Sequence, residues 1–343
     1  MIKKILFILG IIVVATAIYI GSQDRRPEGA QNSEIKSAPQ DETKTQGTVD
    51  AVTMPNAVSL PALMQKKFDG RDLVVGRVLA STAKYTRYYI TYKSGELTIS
   101  GIMNVPKGDG PFPVLILNHG HIDESVYTNG RGLRREQDYF ANNGYIVIHP
   151  DYRNHAQSSK DNSVDLNIRL GYIEDVINAV YAVKASSLTY FDKNNIGMMG
   201  HSMGGGVTLG VLVVQPDLVK AAMLYAPVSS HAEDSFKRWT QSRKEVAQKI
   251  IEAYGSPESN PEFWKNVSTA TFFDRVRTPL QIHQGTADKD VPPEWSTRLE
   301  GELKAAGKQA ELFTYKGEPH EFAAAWPKVM NTTREFFDQY LKK

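Results

Sequence analysis

Ser202 is the residue of this sequence whose surroundings most strongly indicate chemistry. It lies between Gly200 and Gly204, after the apolar stretch 196–199 and before the small, apolar run 205–214. A serine between two glycines at a strand-to-helix turn exposes its hydroxyl as a nucleophile, and a Cβ at either glycine would clash with the neighbouring strand and helix. The following helix points N–H groups and its positive dipole end at the serine. A glycine-rich turn without chemistry is the alternative, and the partners of the serine decide between the two.

A serine hydroxyl is a poor nucleophile unless a base accepts its proton and a carboxylate orients that base. His320 follows the last predicted strand, on a loop at the carboxyl edge of the predicted sheet, and Asp288 follows a strand at 280–284. Asp290 is the alternative carboxylate, but it lies nearer the next helix, where an acidic side chain commonly stabilises the N-terminus. We therefore predict a triad of Ser202, Asp288 and His320.

Three other histidines are predicted to be structural. His283 lies inside a predicted strand, His149 ends one, and His201 flanks the serine on the wrong side of the turn. With His320 as general base, activity on an ester should rise as His320 loses its proton.

The oxyanion of a tetrahedral intermediate needs two preorganised N–H donors. The Met203 N–H, directly after the serine, is the first. The second is expected after the strand at 114–118, where Gly120 lets the backbone approach the substrate and makes the His121 N–H the donor. His119 and His121 can also be read as a metal-binding pair, since His-x-His recurs in such sites. We predict no metal and no cofactor, because no carboxylate or third histidine nearby has suitable spacing.

Alternating strand and helix patterns are expected to position these residues. Three β segments come first, at 71–80, 85–93 and 96–105, and the last two form a hairpin. Short apolar segments typical of buried parallel strands follow at 114–118, 145–150, 196–200, 221–226, 280–284 and 311–315. Helical patterns lie between them at 131–143, 167–185, 203–215, 293–306 and 326–341. The pattern predicts an α/β fold with a mostly parallel, doubly wound sheet, antiparallel N-terminal strands, and a site at the carboxyl ends of its strands.

The segment 227–279 interrupts this alternation. It is rich in helix formers and aromatic residues, and a small helical cap over the site is the natural interpretation. Trp239 and Trp264 are the predicted substrate-pocket residues of this cap. Ordinary packing within the cap is the alternative role for each tryptophan.

The N-terminal residues predict export. Lys3 and Lys4 precede the apolar run 5–20, so residues 1–20 read as a signal peptide or as a membrane anchor that leaves the catalytic domain outside the cytoplasm. Residues 21–56 are polar and read as a flexible linker to a hydrolase domain at 57–343.

The composition excludes several classes of protein. The chain has 40 Lys and Arg against 38 Asp and Glu and no long basic run, so we expect no nucleic-acid partner. It has no cysteine, which excludes disulfides, a thiolate nucleophile and lipoprotein attachment.

The triad residues, the His119-Gly120 pair and the stretch 151–158 together resemble the α/β-hydrolase superfamily, in which the triad has the chain order serine, aspartate, histidine. Within it, the chain from about Tyr85 onwards is most similar to the catalytic domain of the prolyl oligopeptidase family and to its dienelactone-hydrolase-like and esterase relatives. Relatives often carry glycines where this sequence has Asn154 and Ala156, so the resemblance does not determine the conformation of that loop.

The resemblance implies a serine hydrolase whose substrate is a small ester or a short peptide. The large peptidases of the family carry a β-propeller before the catalytic domain, whereas only about thirty residues of predicted β structure separate the linker from this hydrolase core. That difference favours a small carboxylic ester as substrate, with a short peptide as the alternative. A non-catalytic binding protein on the same fold is the third interpretation, disfavoured because every triad position is filled.

Overall fold

The computed structural model describes residues 56–342, which contain a nine-stranded sheet with the spatial order β1-β2-β3-β5-β4-β6-β7-β8-β9. The strands are β1 (Arg71–Ser81), β2 (Tyr85–Ser94), β3 (Leu97–Pro106), β4 (Phe112–Asn118), β5 (Ile146–Pro150), β6 (Phe191–His201), β7 (Ala221–Tyr225), β8 (Leu280–Gly285) and β9 (Ala310–Tyr315). The first three are antiparallel, β3 pairs antiparallel with β5, and the strands from β5 to β9 are parallel neighbours. The predicted sheet, with its antiparallel opening, is confirmed.

Helices cover both faces of the sheet, as a doubly wound arrangement requires. They are α1 (Leu60–Gln65), α2 (Arg134–Asn142), α3 (Leu170–Ala185), α4 (Met203–Val214), α5 (Ala232–Ser235), α6 (Lys244–Tyr254), α7 (Pro261–Val267), α8 (Pro293–Ala305) and α9 (Trp326–Leu341). Because successive strand residues point to opposite faces, Val114 and Ile116 of β4 pack with α3 and α4, whereas Leu115 and Leu117 pack with α2 and α9. Both faces of β4 are therefore buried, which explains why it reads as a continuous apolar run.

The connections of the sheet bring the predicted site residues to one edge. The chain leaves β4 toward β5 on one side and later returns to β6 on the other, so the loops after β4 and β6 diverge at the carboxyl ends of adjacent strands. Such a switch point is where open α/β sheets bind ligands. Gly120 and His121 follow β4, and Ser202 follows β6.

The segment between β7 and β8 forms the expected helical cap. It contains α5, α6 and α7, together with a π-helical turn at Phe236–Thr240 and a 3₁₀ segment at Thr269–Arg275. Phe236, Ile250, Phe263 and Trp264 are buried in one core with the residues of α3 and α4. The cap is thus part of the main hydrophobic core.

Two elements depart from the sequence-based expectation. Helix α1 was not expected, although Ser59 caps it by accepting a hydrogen bond from the Ala62 N–H at 3.1 Å and a proline follows at its second position. Strand β6 begins at Phe191 rather than at 196. Phe191 and Asp192 pair with Phe112 and Pro113 before a register shift, so the strand has an irregular beginning at 191–195.

The loop after β5 has Asn154 and Ala156 at positions that glycine favours. Their φ angles are 71° and 47°, and Tyr152 before them has a φ of 62°. Asn154 offsets the cost of this conformation by a hydrogen bond from its Nδ2 to the Asp161 carbonyl at 2.9 Å. Ala156 has no polar group with which to do so. The loop thus keeps the left-handed backbone without the glycines that usually allow it.

The predicted signal or anchor at 1–20 lies outside the described residues, as does the linker at 21–56 except for Asn56. In the described part of the chain, from 56 to 342, none of the helices has both the length and the apolar character that crossing a bilayer requires. Export and anchoring stay predictions.

Candidate active site

Ser202 sits at the turn between β6 and α4 in a strained backbone conformation, with φ 55° and ψ −119°. A Cβ on Gly200 would lie 2.1 Å from the Gly204 carbonyl oxygen, and a Cβ on Gly204 would lie 2.0 Å from the Asn118 carbonyl oxygen. Both distances are far inside van der Waals contact, so only glycine fits at either position. The Ser202 N–H donates to the Tyr225 carbonyl at 2.9 Å, which ties the turn to β7. A conformation of this kind costs on the order of 1–3 kcal/mol and is held by its surroundings.

His320 and Asp288 form a hydrogen-bonded pair. The distance between His320 Nδ1 and Asp288 Oδ2 is 2.8 Å, and the Asp288 side chain is fully buried. The same carboxylate accepts hydrogen bonds from the Asp290 and Val291 backbone N–H groups and from Gln284 Nε2, each at 2.9 Å. Burial alone would raise the pKa of Asp288, but the hydrogen bonds from His320, Val291 and Gln284 lower it overall. Asp288 is therefore ionised where His320 needs an acceptor.

Asp290 occupies a different environment from Asp288. Its side chain is exposed, and its contribution to the pair is the backbone N–H that holds Asp288. Asp288, Asp290 and His320 are the one group of acidic and histidine side chains within residues 56–342 whose ligand atoms all lie within 4.8 Å of one another. A metal ion at this group would have to displace the hydrogen bond between His320 and Asp288. The absence of a metal stays a prediction.

His201 supports the loop that carries His320. The two imidazole rings lie 4.6 Å apart, and His201 Nε2 lies 3.4 Å from the His320 carbonyl oxygen. The pKa of His201 is lowered to about 3, mainly by burial and secondly by the charge of the neighbouring His320. Its ring is therefore neutral and can donate one N–H. This placement agrees with the structural role predicted for His201.

The two expected oxyanion donors lie on either side of Ser202. Met203 is the first residue of α4, so its N–H has no acceptor within the helix. The loop after β4 approaches so closely that a Cβ on Gly120 would lie 3.1 Å from the Ser202 Cβ, and His121 follows on the cavity wall. The ring nitrogens of His119 lie 2.7 Å from the Gly120 carbonyl and 3.2 Å from the Asp151 carbonyl. Burial lowers the pKa of His119 to about 3, so its ring is neutral and donates from one of these nitrogens to one of the two carbonyls, which ties the ring to the loop. The absence of a metal at His119 and His121 stays a prediction.

A buried carboxylate, Asp151, holds the rest of the same loop. It accepts hydrogen bonds from the Tyr127 hydroxyl at 2.9 Å, from Asn129 Nδ2 at 2.7 Å, from the Gly130 N–H at 2.8 Å and from Ser100 Oγ at 2.6 Å. Four donors to one carboxylate stabilise its charge where burial disfavours it. The sequence analysis did not assign Asp151 the role of holding the loop after β4. The available signal was its position directly after a predicted strand.

Ser202, His320, Gly120 and His121 all line one cavity of about 790 Å³. Such a volume lies within the range of small-molecule sites. Its apolar walls come from the core and from the cap: Leu60, Leu133, Leu170, Ile173, Val207, Phe236, Val246, Ile250, Trp264 and Val267. Ser202 and His320 thus open onto a space that could hold a substrate, and Asp288 lies buried behind His320.

Trp239 and Trp264, the predicted substrate-pocket residues, both line this cavity, but their surroundings differ. Trp264 is buried, donates from Nε1 to the Gly255 carbonyl at 3.2 Å and packs against Phe236. Trp239 is 37% exposed and meets Trp295 edge to face at 5.7 Å. Trp264 is therefore fixed by the cap core, whereas Trp239 lies at the mouth of the cavity.

Several cavity residues were not expected from the sequence. They are Leu60 of α1 and three charged residues, Asp165, Arg169 and Arg243. Charged residues in loops normally face water, and only the tertiary arrangement brings these to a common wall. The serine cap before α1 and the proline at its second position were the one available signal for Leu60.

We expect the buried histidines to make the free energy of unfolding depend on pH. Burial lowers the pKa of His283 to about 3, and its Nδ1 lies 2.9 Å from the Tyr315 hydroxyl. The unfolded chain then binds a proton below about pH 6.5 that the folded chain does not, at a cost of about 1.4 kcal/mol per pH unit for each such group. The contribution of the neutral, buried histidine to the free energy of unfolding is fully present above pH 6.5. It is lost as the pH falls toward the pKa of that histidine in the folded protein.

The variant His283→Gln isolates one of these groups. Between about pH 7.5 and about pH 5.5, the drop in unfolding free energy measured by urea denaturation should be smaller in the variant by about 1.4 kcal/mol. His283 lies away from the cavity, so the comparison does not depend on activity. An identical pH dependence in both proteins would contradict a neutral, buried His283.

Comparisons with known proteins show which family this chain belongs to and which proteins it resembles. The sequence pattern of the prolyl oligopeptidase family matches residues 131–343. Esterase EstD of Thermotoga maritima is 26% identical over 215 residues, which cover 56% of this chain and 48% of that protein. Dipeptidyl peptidase 4 of Felis catus is 31% identical over 164 residues, which cover 46% of this chain and 20% of that protein. The chain thus spans about half the length of the first relative and a fifth of the second.

A solved structure gives the same fold. Acylaminoacyl peptidase of Pyrococcus horikoshii superposes with a TM-score of 0.64 at 22% sequence identity, over 76% of this chain and 42% of that chain. The shared architecture is that of the α/β-hydrolases, with a mostly parallel sheet and antiparallel strands at its start.

Proposed function

Since the chain belongs to the prolyl oligopeptidase family, a family of serine hydrolases, we propose that it hydrolyses a small carboxylic ester through a covalent intermediate on Ser202. The observation that carries this proposal is the hydrogen bond between His320 and the buried Asp288 at the wall of the cavity that Ser202 also lines. A nucleophile and a base that open onto one space, with a buried carboxylate that orients the base, are the elements of acyl transfer.

In the proposed first step, His320 accepts the Ser202 proton on Nε2 while Ser202 Oγ attacks the ester carbonyl carbon. Asp288 accepts the Nδ1–H of His320, which fixes the proton on that nitrogen and stabilises the imidazolium that forms. The N–H groups of Met203 and His121 are the proposed donors to the oxyanion. His320 then gives its proton to the leaving alcohol as the carbon–oxygen bond breaks.

In the second step, water replaces the alcohol. His320 removes a proton from the water, whose oxygen attacks the acyl carbon of the Ser202 ester through a second oxyanion. Collapse of that intermediate releases the carboxylic acid and returns the proton from His320 to Ser202 Oγ. The apolar walls of the cavity favour an acyl or alcohol group without a large polar surface.

Hydrolysis of a short peptide is the second candidate. Its specific support is the sequence similarity to the peptidase of Felis catus, whereas the similarity to EstD supports the ester. The two differ in the leaving group, because an amine must be protonated by His320 before it can depart and an alcohol is the better leaving group.

Activity assays of the purified protein should distinguish ester hydrolysis from peptide hydrolysis. We expect higher catalytic enhancement on short 4-nitrophenyl esters than on dipeptide 4-nitroanilides, with kcat/KM in each case divided by the uncatalysed rate constant, since nitrophenyl esters are intrinsically reactive. Ser202→Ala supplies the background for each substrate. Preferential enhancement on a dipeptide anilide would overturn the choice of ester in favour of peptide.

A further inference from the structure

Two arginines share a single carboxylate on the wall of the active-site cavity. Arg243, at the start of α6 in the cap, pairs with both oxygens of Asp165, and Arg169 Nε donates to Asp165 Oδ1 at 3.2 Å. All three residues line the cavity. Two guanidinium groups against one carboxylate leave one positive charge on this wall.

Of the two arginines, Arg169 has terminal N–H groups that do not donate to Asp165. Among residues 56–342, the one acceptor within hydrogen-bond distance of its terminal nitrogens is the Met203 sulfur, 3.5 Å from Nη1. A thioether is a weak acceptor, so the planar terminal face of the guanidinium lacks an oxygen partner. Met203 is also the residue directly after Ser202, and Arg169 and Ser202 line the same cavity.

Two further carboxylates line the cavity. Asp290 and Glu321 line the cavity next to Asp288 and His320, which places negative charge on the triad side. The pKa of Arg243 is raised first by its hydrogen bond to Asp165 and also by the charge of Glu124, but Glu124 is exposed and does not line the cavity. The cavity is therefore acidic near His320 and basic near Arg169, and an anionic substrate group would be favoured at the Arg169 end.

A purely structural role explains only part of this arrangement. The pairing of Arg243 with Asp165 ties the cap to the loop before α3 and accounts for Arg243. It does not account for the free terminal nitrogens of Arg169. Ile168 and Arg169 also have φ angles of 51° and 59°, a conformation that costs energy for residues other than glycine, and both residues line the cavity.

We propose that Arg169 binds a carboxylate of the substrate, so that the preferred esters carry a negative charge on the acyl or the alcohol part. The inference rests on the proposed ester hydrolysis and narrows its substrate class. The planar guanidinium offers two parallel N–H donors to a carboxylate, an arrangement in which charge strengthens each hydrogen bond. Asp165 holds the guanidinium through Nε and leaves its terminal face to the substrate.

Matched pairs of esters test this proposal. One pair carries the charge on the acyl part, namely the mono-4-nitrophenyl ester of adipic acid and its methyl ester. The other carries it on the alcohol part, namely 4-acetoxybenzoate and its methyl ester. In at least one pair we expect kcat/KM to favour the charged member by about tenfold to a hundredfold, as charge-assisted hydrogen bonds in a partly buried site allow.

The variant Arg169→Gln should remove most of that preference, measured as the ratio of kcat/KM between charged and neutral members. Arg169→Lys should keep a part of it, because the charge stays but the paired donors are lost. The control is Arg277→Gln, which removes an exposed arginine that pairs with Asp217 outside the cavity, and it should leave the ratio unchanged.

Salt gives a second readout that needs no variant. The ratio for the unmodified chain should fall several-fold between about 0.05 M and about 0.5 M NaCl, because ions screen the attraction to a partly exposed arginine. No preference in either pair, a ratio independent of salt, or a ratio unchanged in Arg169→Gln would overturn the inference while ester hydrolysis stands. Failure to hydrolyse any of the four esters would instead contradict the proposed function, and the inference would fall with it.

Discussion

Replacing Ser202 with alanine is expected to lower kcat for ester hydrolysis by about 10⁵-fold to 10⁶-fold, because every covalent step passes through its hydroxyl. The strained turn between Gly200 and Gly204 should persist, since alanine has the same Cβ and no other group changes. What remains would be the oxyanion donors and the cavity, which by themselves still accelerate hydrolysis by water. The measurement is steady-state turnover of a short 4-nitrophenyl ester.

The control for this change is Ser259→Ala. Ser259 is exposed in the cap and lies outside the cavity, so its replacement should leave turnover within a few-fold of the unmodified chain. If Ser202→Ala kept more than a tenth of the original activity, Ser202 would not be the nucleophile. Circular dichroism and urea denaturation of both variants would separate loss of chemistry from loss of fold.

The second large effect is expected for Asp288→Asn, at about 10⁴-fold in kcat. Asparagine has the shape of aspartate, so its oxygen can still accept hydrogen bonds from the Val291 and Asp290 N–H groups. Its amide would donate to His320 Nδ1 instead of accepting from it. The proton would then sit on His320 Nε2, and that nitrogen could no longer act as the base.

Asp290→Asn is the matched control. The two carboxylates are two residues apart, but Asp290 is exposed and holds Asp288 only through its backbone N–H, which the substitution keeps. We expect turnover within a few-fold of the unmodified chain. A large loss in Asp290→Asn together with full activity in Asp288→Asn would reverse the assignment of the carboxylate.

The strands of the fold could be predicted because their signal is local. Strands β4, β5, β7 and β8 are short and buried on both sheet faces, so they read as compact runs between helix patterns. Strand β9 lies at the edge of the sheet and keeps exposed residues. The start of β6 was missed because Asp192 and the residues after it have turn chemistry, whereas their pairing is set by the distant Phe112 and Pro113. Neighbouring strands, rather than local preference, hold that segment extended.

The candidate triad could also be predicted, because its residues follow the carboxyl ends of strands that a parallel sheet brings to one edge. The structure places His320 against Asp288 and leaves Asp290 exposed, as the spacing suggested. The basic wall of the cavity could not be predicted. Arg169 is only four positions from Asp165, but Arg243 is 74 positions beyond Arg169, and only the docking of the cap brings Arg243 to the same carboxylate.

Covalent labelling of Ser202 is the most direct test of a nucleophilic serine in this cavity. The oxygen of an activated serine attacks the phosphorus of a fluorophosphonate and displaces fluoride. The product is a stable phosphonyl ester of the serine, which mass spectrometry of the intact chain and of its peptides can locate. We expect one equivalent of label, on the peptide that contains Ser202, and no label in Ser202→Ala. Label on another residue, or equal labelling of both proteins, would contradict the assignment of Ser202 as the nucleophile.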